Sequence, residues 1–118
     1  MNPIDANREL IERALAYSGG THSFNDVKAA ILSGKMQIWP APHGVAVTEI
    51  IVYPARKVLH IFLAAGELEQ LLDMIDAATA WGRSEGCQSL TMAGRKGWQR
   101  ILSKHGWRER HITMERAI

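Results

Sequence analysis

The sequence predicts a mixed α+β fold, a central mixed sheet with helices on both faces. Three observations predict it. The first third carries apolar residues at helical spacing, the stretch from Met36 to Ala65 turns β-branched and period-two, and a long amphipathic run then separates two short apolar segments. Apolar segments joined through a helix pair in parallel, which makes 58–65 and 88–93 neighbours in one sheet.

Each element has a local reason. Residues 4–17 place Leu10, Ile11, Ala14 and Leu15 on one helical face, and Gly19-Gly20 ends the run. Ser23, with Asp26 three residues on, has the pattern of a capping box for a helix over 24–33, which buries Val27, Ala30 and Ile31. Met36 and Ile38 alternate with Gln37 and Trp39 in a short strand stopped by Pro40 and Pro42. Residues 45–53 and 58–65 form a hairpin through Pro54-Ala55-Arg56-Lys57. A tight register sets Tyr53 opposite Val58, Ile51 opposite His60 and Glu49 opposite Phe62. The helix over 67–85 repeats Leu68, Leu71, Leu72 and Ile75 at i, i+3, i+4 and i+7, continuing through Ala78, Thr79 and Gly82. A strand over 88–93, a helix over 96–104 with Trp98, Ile101 and Leu102 inward, and a last strand over 107–114 complete the order ααβββαβαβ.

The 118 residues suit one domain spanning 1–118, with 47% hydrophobic and 22% charged residues, which excludes a disordered chain. No apolar run reaches the roughly 18 residues of a membrane span, and the polar, early-acidic start MNPIDANRELIE does not read as a signal peptide. Membrane association is therefore not expected. One cysteine, Cys87, excludes an internal disulfide framework and a cysteine zinc site, and points to a reducing, cytoplasmic setting. Net charge is only +2, but residues 1–82 carry 6 basic and 9 acidic side chains, whereas 83–118 carry 8 basic and 3 acidic. A basic last third suits an anionic partner, or a solvated face that keeps the protein in solution.

The stretch Trp98-Gln-Arg-Ile-Leu-Ser-Lys-His-Gly-Trp107 resembles the final helix of the GNAT acetyltransferase family, which commonly ends in an aromatic-Tyr-Glu-Lys-x-Gly-Phe pattern. The element order resembles that family's too: two early helices, a three-strand meander, a long helix, a strand, a helix and closing strands. The chain also looks like small acetyltransferase-like proteins of phage and prophage genomes. The resemblance implies a GNAT-like fold and, in an active member, acetyl transfer from acetyl-CoA to an amine. It implies that the backbone at Ala65 and Gly66 holds the cofactor.

The departures bear on that activity. The first strand of the family is absent. Active members carry Gln/Arg-x-x-Gly-x-Gly/Ala before the long helix, whose N–H groups hold the pyrophosphate of coenzyme A. Here the join reads Phe62-Leu-Ala-Ala-Gly-Glu-Leu-Glu69, with Gly66 alone remaining. Glu67 and Glu69 suit the helix dipole, yet put negative charge where an anion would bind, a repulsion of roughly 1–3 kcal/mol at surface dielectric. Leu102 stands where the family places a Tyr that protonates the leaving thiolate.

Among the residues themselves, Glu49 is the best catalytic candidate. It interrupts an apolar strand between Val47 and Ile51, with His60 diagonally across in the hairpin, and a carboxylate beside a histidine can take a proton from an amine. The competing reading is a solvent-side Glu with His60 next to it. Gly94-Arg95-Lys96-Gly97 opens a helix and can cradle a phosphate with backbone N–H groups and two cations, or serve only as a tight turn. His22, His43, His105 and His111 lack metal-site spacing, so no metal is expected. Residues 95–110 interleave basic residues with Trp98 and Trp107, a pattern for nucleic acid, although Trp98 falls on the apolar stripe.

Three functions follow as expectations. The leading one is a non-catalytic or strongly weakened acetyltransferase-like protein without cofactor, binding a protein partner in a phage particle or its assembly machinery. The second is an active N-acyltransferase using acetyl-CoA with Glu49 as base. The third is a nucleic-acid binder using residues 95–110. A homo-oligomer is compatible with each.

Overall fold

The computed structural model describes residues 1–94 and 96–118. Three N-terminal helices come first: α1 (Pro3–Ala6), α2 (Arg8–Leu15) and α3 (Phe24–Leu32). The first helical stretch is thus broken, because Asn7 leaves helical geometry at φ −106°, ψ 15° and its side chain donates to the Pro3 carbonyl at 2.8 Å. An Asn side chain that bonds nearby backbone competes with helix continuation. The Ser23–Asp26 capping box at the start of α3 is formed in both directions.

The sheet follows in the order β1 (Met36–Ala41), β2 (Gly44–Val52), β3 (Lys57–Gly66) and β4 (Ser89–Met92). β1, β2 and β3 form an antiparallel meander, and β4 joins β3 in parallel through α4 (Leu68–Ser84), as the alternation of elements predicts. The hairpin register differs from expectation by two residues. The turn closes where the Tyr53 N–H donates to the Arg56 carbonyl at 2.8 Å, so Lys57 enters β3 opposite Val52, and Ile51 faces Val58. Farther on, Thr48 pairs with Ile61 but Val47 with Leu63, leaving Phe62 as an extra residue in β3. Such a bulge bends the strand and re-aims side chains next to it.

Two apolar layers sandwich the sheet. On one face Ile4, Ile11, Leu15, Phe24 and Val27 of the N-terminal helices pack on Met36, Val45, Val47 and Leu63. On the other, Leu71 and Met74 of α4 pack with Ala46, flanked by Trp39 and Trp98. The buried stripe of α4 is Leu71, Met74, Ala78 and Gly82, rotated slightly from the predicted one: Leu68 is 40% exposed, and Leu72 and Ile75 are half-buried. Gly82 explains the rotation, since a Cβ there would stand 3.1 Å from Leu59 Cδ2, so the helix approaches β3 closely along this line. Of the last predicted helix face, Leu102 is buried, while Trp98 and Ile101 are half-buried.

The chain ends in α5 (Lys96–Leu102) and one 3₁₀ turn over Ser103–His105. The strand predicted over 107–114 is absent: residues 107–118 carry no regular structure. A strand requires a ladder partner, and no described strand pairs with these residues. No described helix is long and apolar enough to cross a membrane.

Candidate functional site

Register creates a row of side chains across all four strands. Met36 pairs with Glu49, Glu49 with His60, and His60 with Thr91. Residues paired across strands share a face, and Glu49 lies two positions from Val47, so the row is on the face of α1 to α3. Glu49 thus sits directly opposite His60, closer than the diagonal the sequence predicts, and does not face Phe62. The two predicted catalytic residues are brought together.

The third polar member, Thr91, escapes sequence reasoning. Its Oγ1 lies 2.8 Å from His60 Nδ1. The only signal for it is its odd–even position in a four-residue strand, which cannot select a partner. Glu49, His60 and Thr91 are half-buried. Burial pushes the His60 pKa below its usual value of 6.5, and the Glu49 carboxylate opposes that shift. A neutral imidazole whose Nδ1 is engaged by Thr91, beside a carboxylate, can accept a proton from an amine.

The join between β3 and α4 is different. β3 ends at Gly66 and α4 begins at Leu68, so one residue, Glu67, connects them. Gly66 has φ +122°, and a Cβ on it would collide with Gly44 Cα and the His43 carbonyl oxygen. The β1–β2 turn therefore rests on the start of α4. The Glu67 N–H donates to the His43 carbonyl at 2.8 Å, and the His43 N–H donates to Gln70 Oε1 at 2.6 Å. Glu67, at the N-cap, and Glu69, in the first turn, are both exposed. A pyrophosphate needs free N–H groups and a loop able to wrap it. At Ala65 and Gly66 the join to the helix is one residue long, the Glu67 amide is already engaged, and two carboxylates stand beside it.

The other predicted residues stay apart from this row. Gly94, Lys96 and Gly97 are exposed at the start of the seven-residue α5, and Arg95 lies outside the described residues. Trp98 packs beside Leu71 and Met74 and is half-buried. His22 stacks edge-on against Phe62 at 4.6 Å. Among the described residues no group of His, Cys, Asp and Glu is placed to hold a metal. An open cleft of about 370 Å³ lies between α2 and α3, lined by Arg8, Glu12, His22 and Phe24. No member of the polar row reaches it.

No protein-family model matches the sequence, and no curated protein sequence matches it. Solved structures do match. An acetyltransferase from Trypanosoma brucei superposes with a TM-score of 0.71 at 15% identity, over 98% of this chain and 93% of that one. A glucosamine-6-phosphate N-acetyltransferase from Arabidopsis thaliana gives 0.67 at 17% identity, over 97% and 92%. A predicted acetyltransferase from Clostridium acetobutylicum, solved with acetyl-CoA, gives 0.72 at 12% identity, over 97% and 89%. The chain has the GNAT acetyltransferase fold.

Proposed function

We propose that this chain is an acetyltransferase-fold protein that binds a protein partner and transfers acetyl groups weakly or not at all. The observation that carries this reading is the join at Glu67. The place where an anionic donor would be gripped is a single residue long, is bonded to the β1–β2 turn and is flanked by two carboxylates. Holding the reactants together supplies much of the rate of an acyl transfer, so a poorly held donor removes most of it. Leu102 adds to the case, since it is buried and has no proton to give a thiolate. Exposed Val52 and Tyr53 at the β2–β3 turn offer apolar surface to a partner. On this reading the partner belongs to a phage particle or its assembly machinery, as the resemblance to phage-encoded proteins implies.

The row of Glu49, His60 and Thr91 favours a second reading, an N-acyltransferase in which Glu49 and His60 deprotonate an amine. Calorimetric titration with acetyl-CoA, followed by turnover assays on a panel of amines, separates the two. We expect no saturable binding below millimolar ligand and no turnover above the uncatalysed rate. Micromolar binding with turnover abolished by Glu49→Gln would establish the enzyme instead.

A further inference from the structure

We propose that the outer side of α5 and the turn after it bind the phosphate backbone of a single-stranded nucleic acid. Lys96, Arg100 and Lys104 recur every four residues along α5 and its 3₁₀ turn, and all three are exposed. Arg108 and Arg110 follow and are exposed as well. Lys96 and Arg100 share one side of a 3.6-residue helix, opposite the side of Trp98 and Leu102, which turns toward Leu71 and Met74 or is buried. Residues 96–110 thus set five cations against one carboxylate, Glu109, which accepts a hydrogen bond from Gln99 Nε2 at 2.6 Å. Among the described residues the ion pairs are Arg8 with Glu12, Arg13 with Glu9 and Lys28 with Asp5, all in the N-terminal helices. None of the five cations is neutralised by the chain. Like charges gathered on one short segment repel one another, and a polyanion relieves that repulsion.

The spacing and the surroundings select the partner. Four residues of helix advance about 6 Å, close to the roughly 6.8 Å of two steps along a stacked nucleic-acid strand, so Lys96 and Arg100 meet alternate phosphates. Trp107 stands between Lys104 and Arg108 in the chain, with its N–H donating to the Leu102 carbonyl at 3.2 Å. It is half-buried, which leaves part of an aromatic side chain for a base to stack on. A bilayer needs apolar groups beside the cations, whereas α5 turns its apolar side inward against α4. Glu69, Asp73 and Asp76 are exposed on α4 and repel a polyanion from that helix. The surface is on the α4 side of the sheet, opposite the row of Glu49, His60 and Thr91. This partner is therefore additional to the protein partner proposed above and does not depend on acetyl-CoA.

Fluorescence anisotropy with labelled oligouridine and oligothymidine of about 15 nucleotides should show binding at roughly 10–100 μM full-length chain in about 50 mM salt. Binding of either supports the proposal, and the difference between them tells RNA from DNA. The slope of log affinity against log salt should be about −2 to −3.5, as three to five phosphate contacts give. Arg100→Gln with Lys104→Gln should weaken binding roughly tenfold or more and flatten the slope by about 1.4. Both side chains are exposed, so the variant is expected to fold, which circular dichroism checks. Arg13→Gln with Lys35→Gln removes the same charge from exposed positions elsewhere and should leave the affinity within about twofold. No binding at about 200 μM chain, equal weakening by the two double variants, or tighter binding to phosphatidylserine vesicles than to the oligonucleotides would each overturn the proposal.

Discussion

The carbonyl oxygen of His43 accepts a hydrogen bond from the backbone N–H of Glu67 at 2.8 Å, which ties the β1–β2 turn to the start of α4. Gly66 makes this approach feasible, because any Cβ would strike Gly44 and His43 backbone. Gly66→Ala should therefore lose at least about 1–3 kcal/mol, the cost of one strained backbone conformation. Urea melts measure it, and a loss below ~0.5 kcal/mol would mean that the turn and the helix are not held together this way.

Glu67 at the N-cap of α4 and Glu69 in its first turn repel an anion there. Replacing both with Gln should tighten coenzyme A binding by roughly 5- to 150-fold, the equivalent of 1–3 kcal/mol. Turnover should stay absent, since the substitutions do not lengthen the one-residue join. Calorimetry with coenzyme A and unchanged affinity would show that charge is not the obstacle.

His60 predicts a pH dependence. Its folded pKa is lowered from 6.5, first by burial, so below pH 6.5 the unfolded chain takes up a proton that the folded chain refuses. The unfolded state then binds more protons and stability rises with pH. The contribution is fully present above about pH 6.5 and is lost as pH falls toward the folded pKa. Asp5, held low chiefly by Lys28, and Asp26, held low by Ser23, act only below 3.8, in a separate window. Urea midpoints from pH 8 to 5 should fall for the wild type and fall less for His60→Gln. In an NMR titration Glu49→Gln should lower the His60 pKa further, because the carboxylate raises it; an unmoved value would separate the two side chains.

The stripe of α4 predicts a contrast between two leucines. Leu71 is 2% exposed and Leu68 is 40% exposed. Leu71→Ala should cost roughly 2–5 kcal/mol, and Leu68→Ala less than about 1 kcal/mol, as at surface positions. Equal losses in denaturant melts would place the helix in a different rotation.

The sequence by itself determined the order of elements from the helix after Ser23 up to Leu102, the capping box at Ser23 and Asp26, the meander, and the parallel pairing of 58–65 with 88–93; the break of the first helical stretch at Asn7 it did not show. These depend on local periodicity, on a side chain reaching three residues along its own helix, and on the handedness of chain connections. The chemistry at Glu49 was legible because a carboxylate inside an apolar strand is conspicuous. Its partners were not. A two-residue change in the turn at Tyr53–Arg56 moved His60 from the diagonal to the place directly opposite Glu49. Thr91 joined them through a crossover whose register depends on how α4 packs. Gly66 read as the remnant of a glycine pattern, yet its φ and its contact with the His43–Gly44 turn arise between segments more than twenty residues apart. The missing last strand has the same origin. Residues 107–114 read as a strand from the sequence, but a strand exists only where another backbone supplies the other half of its hydrogen bonds.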